Sequence, residues 1–124
     1  MPRVTGIGGV FLKAHDRAAL SAWYRDRLGV PVQDWHGAMF KVADDRSPRT
    51  QVWSLFPDDT KYFGAGAQTC MVNFCVDDLD ALLASLRAAG CAVDEKTHAD
   101  EFSKFGWVTD PAGNRVELWE PPAS

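Results

Sequence analysis

The chain has 124 residues, the size of one domain, and its 46% hydrophobic and 24% charged residues are typical of a packed globular protein. A net charge of −4 and the lack of any run of Lys and Arg oppose binding to a phosphate backbone, so we expect no nucleic-acid partner. The opening MPRVTGIGG lacks a signal-peptide pattern, and no stretch approaches the roughly 20 apolar residues that span a bilayer. The three cysteines are odd in number and fit a reducing compartment. We therefore expect a cytoplasmic protein without a membrane partner.

The first half of the chain predicts the order β-α-β-β-β. An apolar strand runs from about Gly6 to Ala14, and Asp16 is a typical N-cap for the helix that follows. Gly29 ends that helix. VPVQDWHGAMFKV (30–42) predicts two strands around a turn at His36, and TQVWSLF (50–56) predicts a third.

The second half predicts the same order again. TCMVNFCV (69–76) has the pattern of a strand, and DDLDALLASLRAAG (77–90) places leucines at helical spacing between an Asp cap and Gly90. CAVDEKTH, FGWVTD and RVELWE are three further strand candidates, the last two joined by the turn DPAGN.

The order β-α-β-β-β occurs twice in this short chain, which indicates an internal repeat. We predict an α+β fold of two βαβββ modules in one domain, residues 1–124: module one 4–57, a connecting loop 58–67, and module two 68–122. Each small sheet has its helix on one face. The other faces are left to form a cavity.

Three segments resemble the vicinal oxygen chelate (VOC) superfamily of glyoxalase I, bleomycin-resistance proteins and extradiol dioxygenases: AWYRDRLG, VDDLDALLASLRAAG and FGWVTDPAGNRVELWEP. The resemblance covers almost the whole chain. It implies the glyoxalase/bleomycin resistance-type fold, with a cup-shaped ligand cavity and pairing of two chains into a homodimer. A lone DPAGN turn would be weak evidence, whereas three segments in this order are specific.

The resemblance also places the metal-ligand positions of the superfamily, and they fall at Gly9, Trp53, Met71 and Glu117. A divalent metal needs about three or more N, O or S ligands, and here only Glu117 is suited to the metals of the superfamily. A misalignment by two residues would bring in Gln51 as one more oxygen ligand, which still leaves two. We therefore expect no metal and no other cofactor, and a dioxygenase is disfavoured.

Alternation along the strands predicts which side chains face the cup. Glu117 and Trp119 share one face, whereas Val116 and Leu118 pack on the helix. For each tryptophan, ordinary core packing is the alternative. The predicted ligand-binding residues are mostly apolar and aromatic, as in small-molecule pockets: Phe11, Gln51, Trp53, Met71, Asn73, Trp107 and Trp119.

Glu117 is the candidate catalytic residue, because a carboxylate on an apolar strand must be paired or face a pocket. Arg115 or Lys13 is a possible pairing partner. Without a cation, burial would raise the pKa of Glu117 and suit it to acid–base chemistry. His98, in a loop that resembles the flap of the superfamily, is the second candidate, with a solvated loop residue as the alternative. His15 and His36 are expected to be solvated.

The sequence leaves the choice between enzyme and binding protein open. The favoured hypothesis is a metal-independent binding protein of the bleomycin-resistance kind, which holds a small, planar, apolar or cationic molecule in an aromatic cup. The alternative is a glyoxalase-like lyase or isomerase in which Glu117 is the general base and Asn73 helps stabilise an oxyanion. A third possibility is a cup filled by its own side chains. Fold alone does not decide, since one scaffold carries many chemistries.

Overall fold

The computed structural model describes residues 2–42, 49–64, 67–101 and 103–122. The chain forms two compact units: Gly9–Cys70, here called the N-terminal unit, and Met1–Gly8 with Met71–Ser124, here called the C-terminal unit. No helix in the described ranges is long and apolar enough to cross a membrane.

The N-terminal unit carries a helix and three paired strands. The Asp16 side chain accepts a hydrogen bond from the N–H of Ala19, and Gly29 ends the helix in the left-handed conformation with φ 70°. Both predicted helix boundaries are confirmed. β3 pairs in parallel with β1 and antiparallel with β2. The elements are β1 (Val4–Ala14), α1 (Arg17–Leu28), β2 (Gly37–Val42) and β3 (Arg49–Pro57).

The strand predicted before His36 is not formed in the described chain, since residues 30–36 connect α1 to β2 without a ladder. Pro31 cannot donate to a ladder, and the N–H of Gln33 donates instead to the carbonyl of Gly37. His36 has φ 64°, in the left-handed region that ends regular extended structure. A tight turn therefore replaces the predicted strand.

The C-terminal unit carries the second helix and five strands. β8 lies between β4, to which it is parallel, and β7, to which it is antiparallel. β5 and β6 both pair with β7, so the single strand predicted over residues 91–98 is two short ones. The elements are β4 (Cys70–Val76), α2 (Leu79–Ala88), β5 (Ala92–Val93), β6 (His98–Ala99), β7 (Lys104–Thr109) and β8 (Arg115–Glu120).

The core of the C-terminal unit lies between α2 and one face of its strands. Leu79 and Leu83 of α2 are buried against Val76 and Leu118, and Val116 packs at the margin of this cluster. The prediction that Val116 and Leu118 face the helix is confirmed. Parallel and antiparallel pairs with helices packed on strands make the fold α+β, as predicted.

Candidate ligand site around Glu117

Three neighbouring strands of the C-terminal unit bring a carboxylate and two N–H donors into one row. The register pairs Glu117 of β8 with Asn73 of β4 and with Trp107 of β7. Paired residues point to the same face of a sheet, and here it is the face opposite α2. We call it the Glu117 face; it comprises Met71, Asn73, Cys75, Phe105, Trp107, Arg115, Glu117 and Trp119.

Glu117 is 1% exposed, and each of its oxygens accepts a hydrogen bond from a neighbouring strand. Asn73 Nδ2 donates to Oε1 over 2.6 Å, and Trp107 Nε1 donates to Oε2 over 3.0 Å. These two donors are N–H groups that carry no charge. The buried carboxylate is therefore held by strand partners on both sides.

Arg115 supports this arrangement from the other side of the Trp107 ring. Its guanidinium carbon lies 5.2 Å from the ring centroid, within cation–π range. Arg115 Nη1 is also 2.8 Å from Asp94 Oδ2. Backbone hydrogen bonding from Lys96, followed by the Arg115 hydrogen bond, lowers the pKa of Asp94. The indole of Trp107 thus contacts a guanidinium over its ring and donates to Glu117 through its N–H.

A second row of the Glu117 face runs from a buried to an exposed residue. Trp119 pairs with Cys75 on β4 and with Phe105 on β7, and Phe105 pairs with His98 on β6. The rings of Phe105 and Trp119 are parallel within 3°, with centroids 6.2 Å apart. Cys75 is buried, the two rings are half-buried and His98 is exposed. The face therefore opens toward the β6 edge.

Gly8 is a site residue that the sequence reasoning missed. A Cβ at this position would overlap Asn73 Oδ1 and lie 2.9 Å from Cε3 of the Trp119 indole and 3.1 Å from Cys75 Sγ. Only glycine therefore lets this backbone approach the Glu117 face. The pair Gly8-Gly9 was visible in the sequence, but nothing there showed which side chains it faces.

Two predicted ligand-binding residues of the N-terminal unit point away from the expected face. The Trp53 ring lies 4.5 Å from the ring of Tyr24 on α1, so Trp53 packs on the helix. Gln51 alternates in phase with Trp53 and shares its side of β3. Phe11 contacts Phe56, which is on the opposite side, at 5.2 Å. The prediction that Gln51 and Trp53 share a face with Phe11 is therefore wrong.

The cause is a one-residue error in matching the two halves. Phe11 lies five residues before the N-cap Asp16, and Asn73 lies five residues before the N-cap Asp78, so Phe11 and Asn73 are equivalent in the two halves. Asn73 pairs with Glu117, and Phe11 pairs with Ser54. The counterpart of Glu117 is thus Ser54 and not Trp53. A slip of one residue moves every side chain to the other face.

Phe11 belongs to an aromatic cluster on the helix-free face of the N-terminal unit. Phe56 lies at its centre, 5.1 Å from Phe63 and 5.3 Å from Tyr62 between ring centroids. Phe63 is 1% exposed. Lys13, a predicted partner of Glu117, places its Nζ 5.6 Å from the Phe63 ring centroid. These contacts are those of packed core aromatics.

The corrected ligand positions do not fit a metal. Gly9 offers no side chain, and a Cβ there would collide with the carbonyl oxygen of Val52. Ser54 supplies a hydroxyl and Met71 a thioether, neither of which is a usual ligand for the hard or borderline metals of the superfamily. Within the described ranges, no three His, Cys, Asp or Glu side chains form a cluster able to hold a metal.

The histidines occupy three different settings. The His15 side chain is 94% exposed and lies 3.0 Å from Asp58, as expected for a solvated residue. His36 is half-buried and its Nδ1 lies 3.1 Å from the hydroxyl of buried Ser21, so the expectation that it is solvated is wrong. His98 is exposed at the margin of the Glu117 face, 6.0 Å from the ring of Phe105 between centroids.

The cysteines are free, as expected, but only one of them is a core residue. Cys75 is 2% exposed, whereas Cys70 and Cys91 are exposed. Cys70 and Cys75 are five positions apart in β4, which places them on opposite faces of the strand.

The fold places the chain in the class of small α+β proteins with the glyoxalase/bleomycin resistance-type architecture, as predicted. A family model described as a glyoxalase-like domain matches residues 9–119. The chain therefore belongs to the glyoxalase-like domain family. A search of curated proteins finds no match.

Solved structures of similar fold are numerous, and three illustrate the range. A methylmalonyl-CoA epimerase of Streptomyces coelicolor in complex with 2-nitronate-propionyl-CoA is 21% identical, with a TM-score of 0.73 over 98% of this chain and 100% of that chain. The Mycobacterium tuberculosis methylmalonyl-CoA epimerase is 23% identical, with a TM-score of 0.62 over 97% and 90% of the chains. A glyoxalase/bleomycin resistance protein/dioxygenase superfamily member from Vibrio splendidus is 16% identical, with a TM-score of 0.59 over 97% and 99%. At these identities the likeness concerns the fold.

Proposed function

We propose that the protein binds a small organic molecule on the Glu117 face without a metal. The observation that carries the proposal is a carboxylate, 1% exposed, held between two neutral N–H donors on a face where most other side chains are apolar or aromatic. Burying a carboxyl group is unfavourable unless it is well hydrogen-bonded, and buried ionisable groups concentrate at functional sites. The ligand's aromatic or apolar part contacts Phe105 and Trp119, and its polar part approaches Glu117.

Metal independence is part of the proposal and rests on the chemistry of the donor set. Gly9, Ser54 and Met71 supply no carboxylate, imidazole or thiolate, and one carboxylate alone does not hold a divalent ion. Glu117 then acts through charge and hydrogen bonding. A cationic or hydrogen-bond-donating ligand suits it best.

A second candidate function is proton transfer at a carbon next to a carbonyl group, of the isomerase or lyase type. This second function is favoured by the fold that the chain shares with structures of methylmalonyl-CoA epimerase, including one in complex with 2-nitronate-propionyl-CoA. In this reaction Glu117 accepts the proton from one face of the carbon, an enolate forms, and a second group delivers a proton to the other face, after which both groups return to their starting states by exchange with water. His98, exposed at the margin of the face, is the candidate for a second proton carrier.

The test compares Glu117→Gln with wild-type protein over a ligand panel read out by thermal shift: acyl-CoA esters, methylmalonyl-CoA, and planar cationic and neutral drugs. A tight ligand raises the melting temperature by mass action. Gln accepts from Trp107, and Asn73 can rotate its amide to accept from the new NH₂ group. The fold should therefore tolerate the substitution.

The outcomes separate the two functions. For simple binding of a cationic ligand, Glu117→Gln loses about 1.5–3 kcal/mol of affinity. For a proton-transfer enzyme, affinity is kept while exchange of the α-proton with D₂O falls by roughly 10²-fold or more. If Glu117→Gln changes neither the affinity for a ligand nor the exchange of its α-proton with D₂O, the proposed role of Glu117 is contradicted.

We also propose that two chains associate as a homodimer in the cytoplasm. Pairing of two copies is implied by the resemblance of this short chain to the superfamily, and two-fold dimers are the commonest closed assemblies. Light scattering at micromolar concentration gives the mass directly.

A further inference from the structure

The indole N–H of Trp119 is a buried donor without an acceptor. Among the described residues, Trp119 Nε1 and Asn73 Oδ1 are the buried side-chain atoms that have no hydrogen-bond partner. Leaving a buried donor unpaired is unfavourable, so such groups are few in folded proteins. Trp107, on the same face, uses its own N–H to hold Glu117. The indole N–H of Trp107 therefore has an acceptor, whereas that of Trp119 has none among the described residues, a difference that packing alone does not require.

The two unpaired atoms have different surroundings. Asn73 Oδ1 is packed against the Gly8 backbone, where even a Cβ would overlap it, so no ligand atom fits there. The Trp119 ring presents Cε3 to Gly8, and Nε1 lies on the opposite edge of the indole. The ring is half-buried beside Phe105, in the row that opens toward exposed His98. The Gly8 backbone that blocks Asn73 Oδ1 therefore lies on the side of the Trp119 ring away from the N–H.

The charge nearby restricts which acceptor suits this donor. Glu117 is two residues from Trp119 on the same face of β8, roughly 7 Å away along the strand. Its carboxylate repels a second anion at such a short distance. A neutral oxygen that accepts one hydrogen bond is therefore favoured over a carboxylate or a phosphate.

We propose that Trp119 Nε1–H donates to a neutral carbonyl oxygen of the ligand, as found in a ketone, ester, thioester or amide. This assignment rests on the proposed function, since it places the ligand on the Glu117 face. Binding then supplies the acceptor that the free protein lacks. If Glu117 takes a proton from the carbon next to that carbonyl, the same N–H stabilises the charge that develops on oxygen.

The test uses two probes that differ mainly in the carbonyl oxygen, acetophenone and ethylbenzene, at low millimolar concentration. The five tryptophans are labelled with ¹⁵N at the indole nitrogen, and the Trp119 signal is assigned with Trp119→Phe. Acetophenone is expected to move the Trp119 N–H proton downfield, as a new hydrogen bond does, and ethylbenzene is not. Trp119→Phe should weaken acetophenone about 3- to 10-fold, the effect of one neutral hydrogen bond, and leave ethylbenzene unchanged.

Trp23→Phe is the matched control, because Trp23 is 49% exposed on α1 in the other unit. It should alter neither affinity. Equal shifts with both probes, a shift confined to another tryptophan, or absence of acetophenone binding would overturn the assignment. These shifts are read on the wild-type protein, and the variant serves only to assign the signal. A ligand that depends on Glu117 but leaves the Trp119 signal unmoved would overturn this inference alone and keep the proposed function.

Discussion

Trp107→Phe tests how far the stability of the C-terminal unit depends on satisfying Glu117. The substitution removes the 3.0 Å hydrogen bond to Oε2 of a carboxylate that is 1% exposed. A hydrogen bond to a buried charged group contributes about 1.5–3 kcal/mol. The smaller ring also leaves space at a position that is 8% exposed, worth roughly 1 kcal/mol after partial collapse. Phe retains an aromatic face for Arg115, so the expected loss is about 3 kcal/mol in total.

Urea unfolding monitored by circular dichroism measures this loss, with Trp23→Phe as the control for removing an exposed indole. The control should stay within about 0.5 kcal/mol of wild type, as surface substitutions do. Trp107→Phe should lower the melting temperature by on the order of 10 °C. Equal stability of the two variants would refute the idea that the indole N–H satisfies a buried carboxylate.

Four further outcomes are expected. Gly8→Ala displaces the side chains of Asn73 and Trp119 and lowers stability by about 1–3 kcal/mol in urea unfolding, the range for overpacking; an unchanged midpoint would contradict the close approach. Asp94 has a lowered pKa in the folded protein, so its contribution is complete above about pH 5 and is lost as the pH falls below about 4. The stability difference between wild type and Asp94→Asn should shrink over that interval, and a difference independent of pH would exclude this linkage. Purified protein should retain no stoichiometric Zn, Ni, Mn or Fe after dialysis, and elemental analysis finding one equivalent would refute metal independence. Light scattering should give the mass of two chains, and a monomer at micromolar concentration would contradict the proposed dimer.

The sequence predicted the elements with strong local signals. Asp16 and Gly29 bound α1 because capping and the left-handed stop depend on the residues themselves. The alternation in RVELWE placed Glu117 and Leu118 on opposite faces, because a period of two follows from strand geometry. The strand expected before His36 does not form, because Pro31 and a local turn outweigh a weak apolar pattern.

The contacts of the site depended on register, which the sequence did not determine. Glu117 was identified as the group that needed partners, yet Arg115 and Lys13 were named for it, while Asn73 and Trp107 donate to it. These two donors come from neighbouring strands, so they follow only from which residues lie opposite Glu117. The same lack of register information shifted the first half by one residue and assigned Trp53 to the wrong face.

The two donors of Glu117 lie at very different distances along the chain, with consequences for the order of folding. Trp107 is 10 residues away across the β7–β8 hairpin, whereas Asn73 is 44 residues away and reaches Glu117 through a parallel pairing that encloses α2. Closing the shorter loop loses less conformational entropy, and contacts between residues close in sequence form first in most small domains. The carboxylate is therefore half-satisfied in the hairpin and still in contact with water until β4 docks. If the hairpin forms first, desolvation of Glu117 is completed only when β4 pairs with β8.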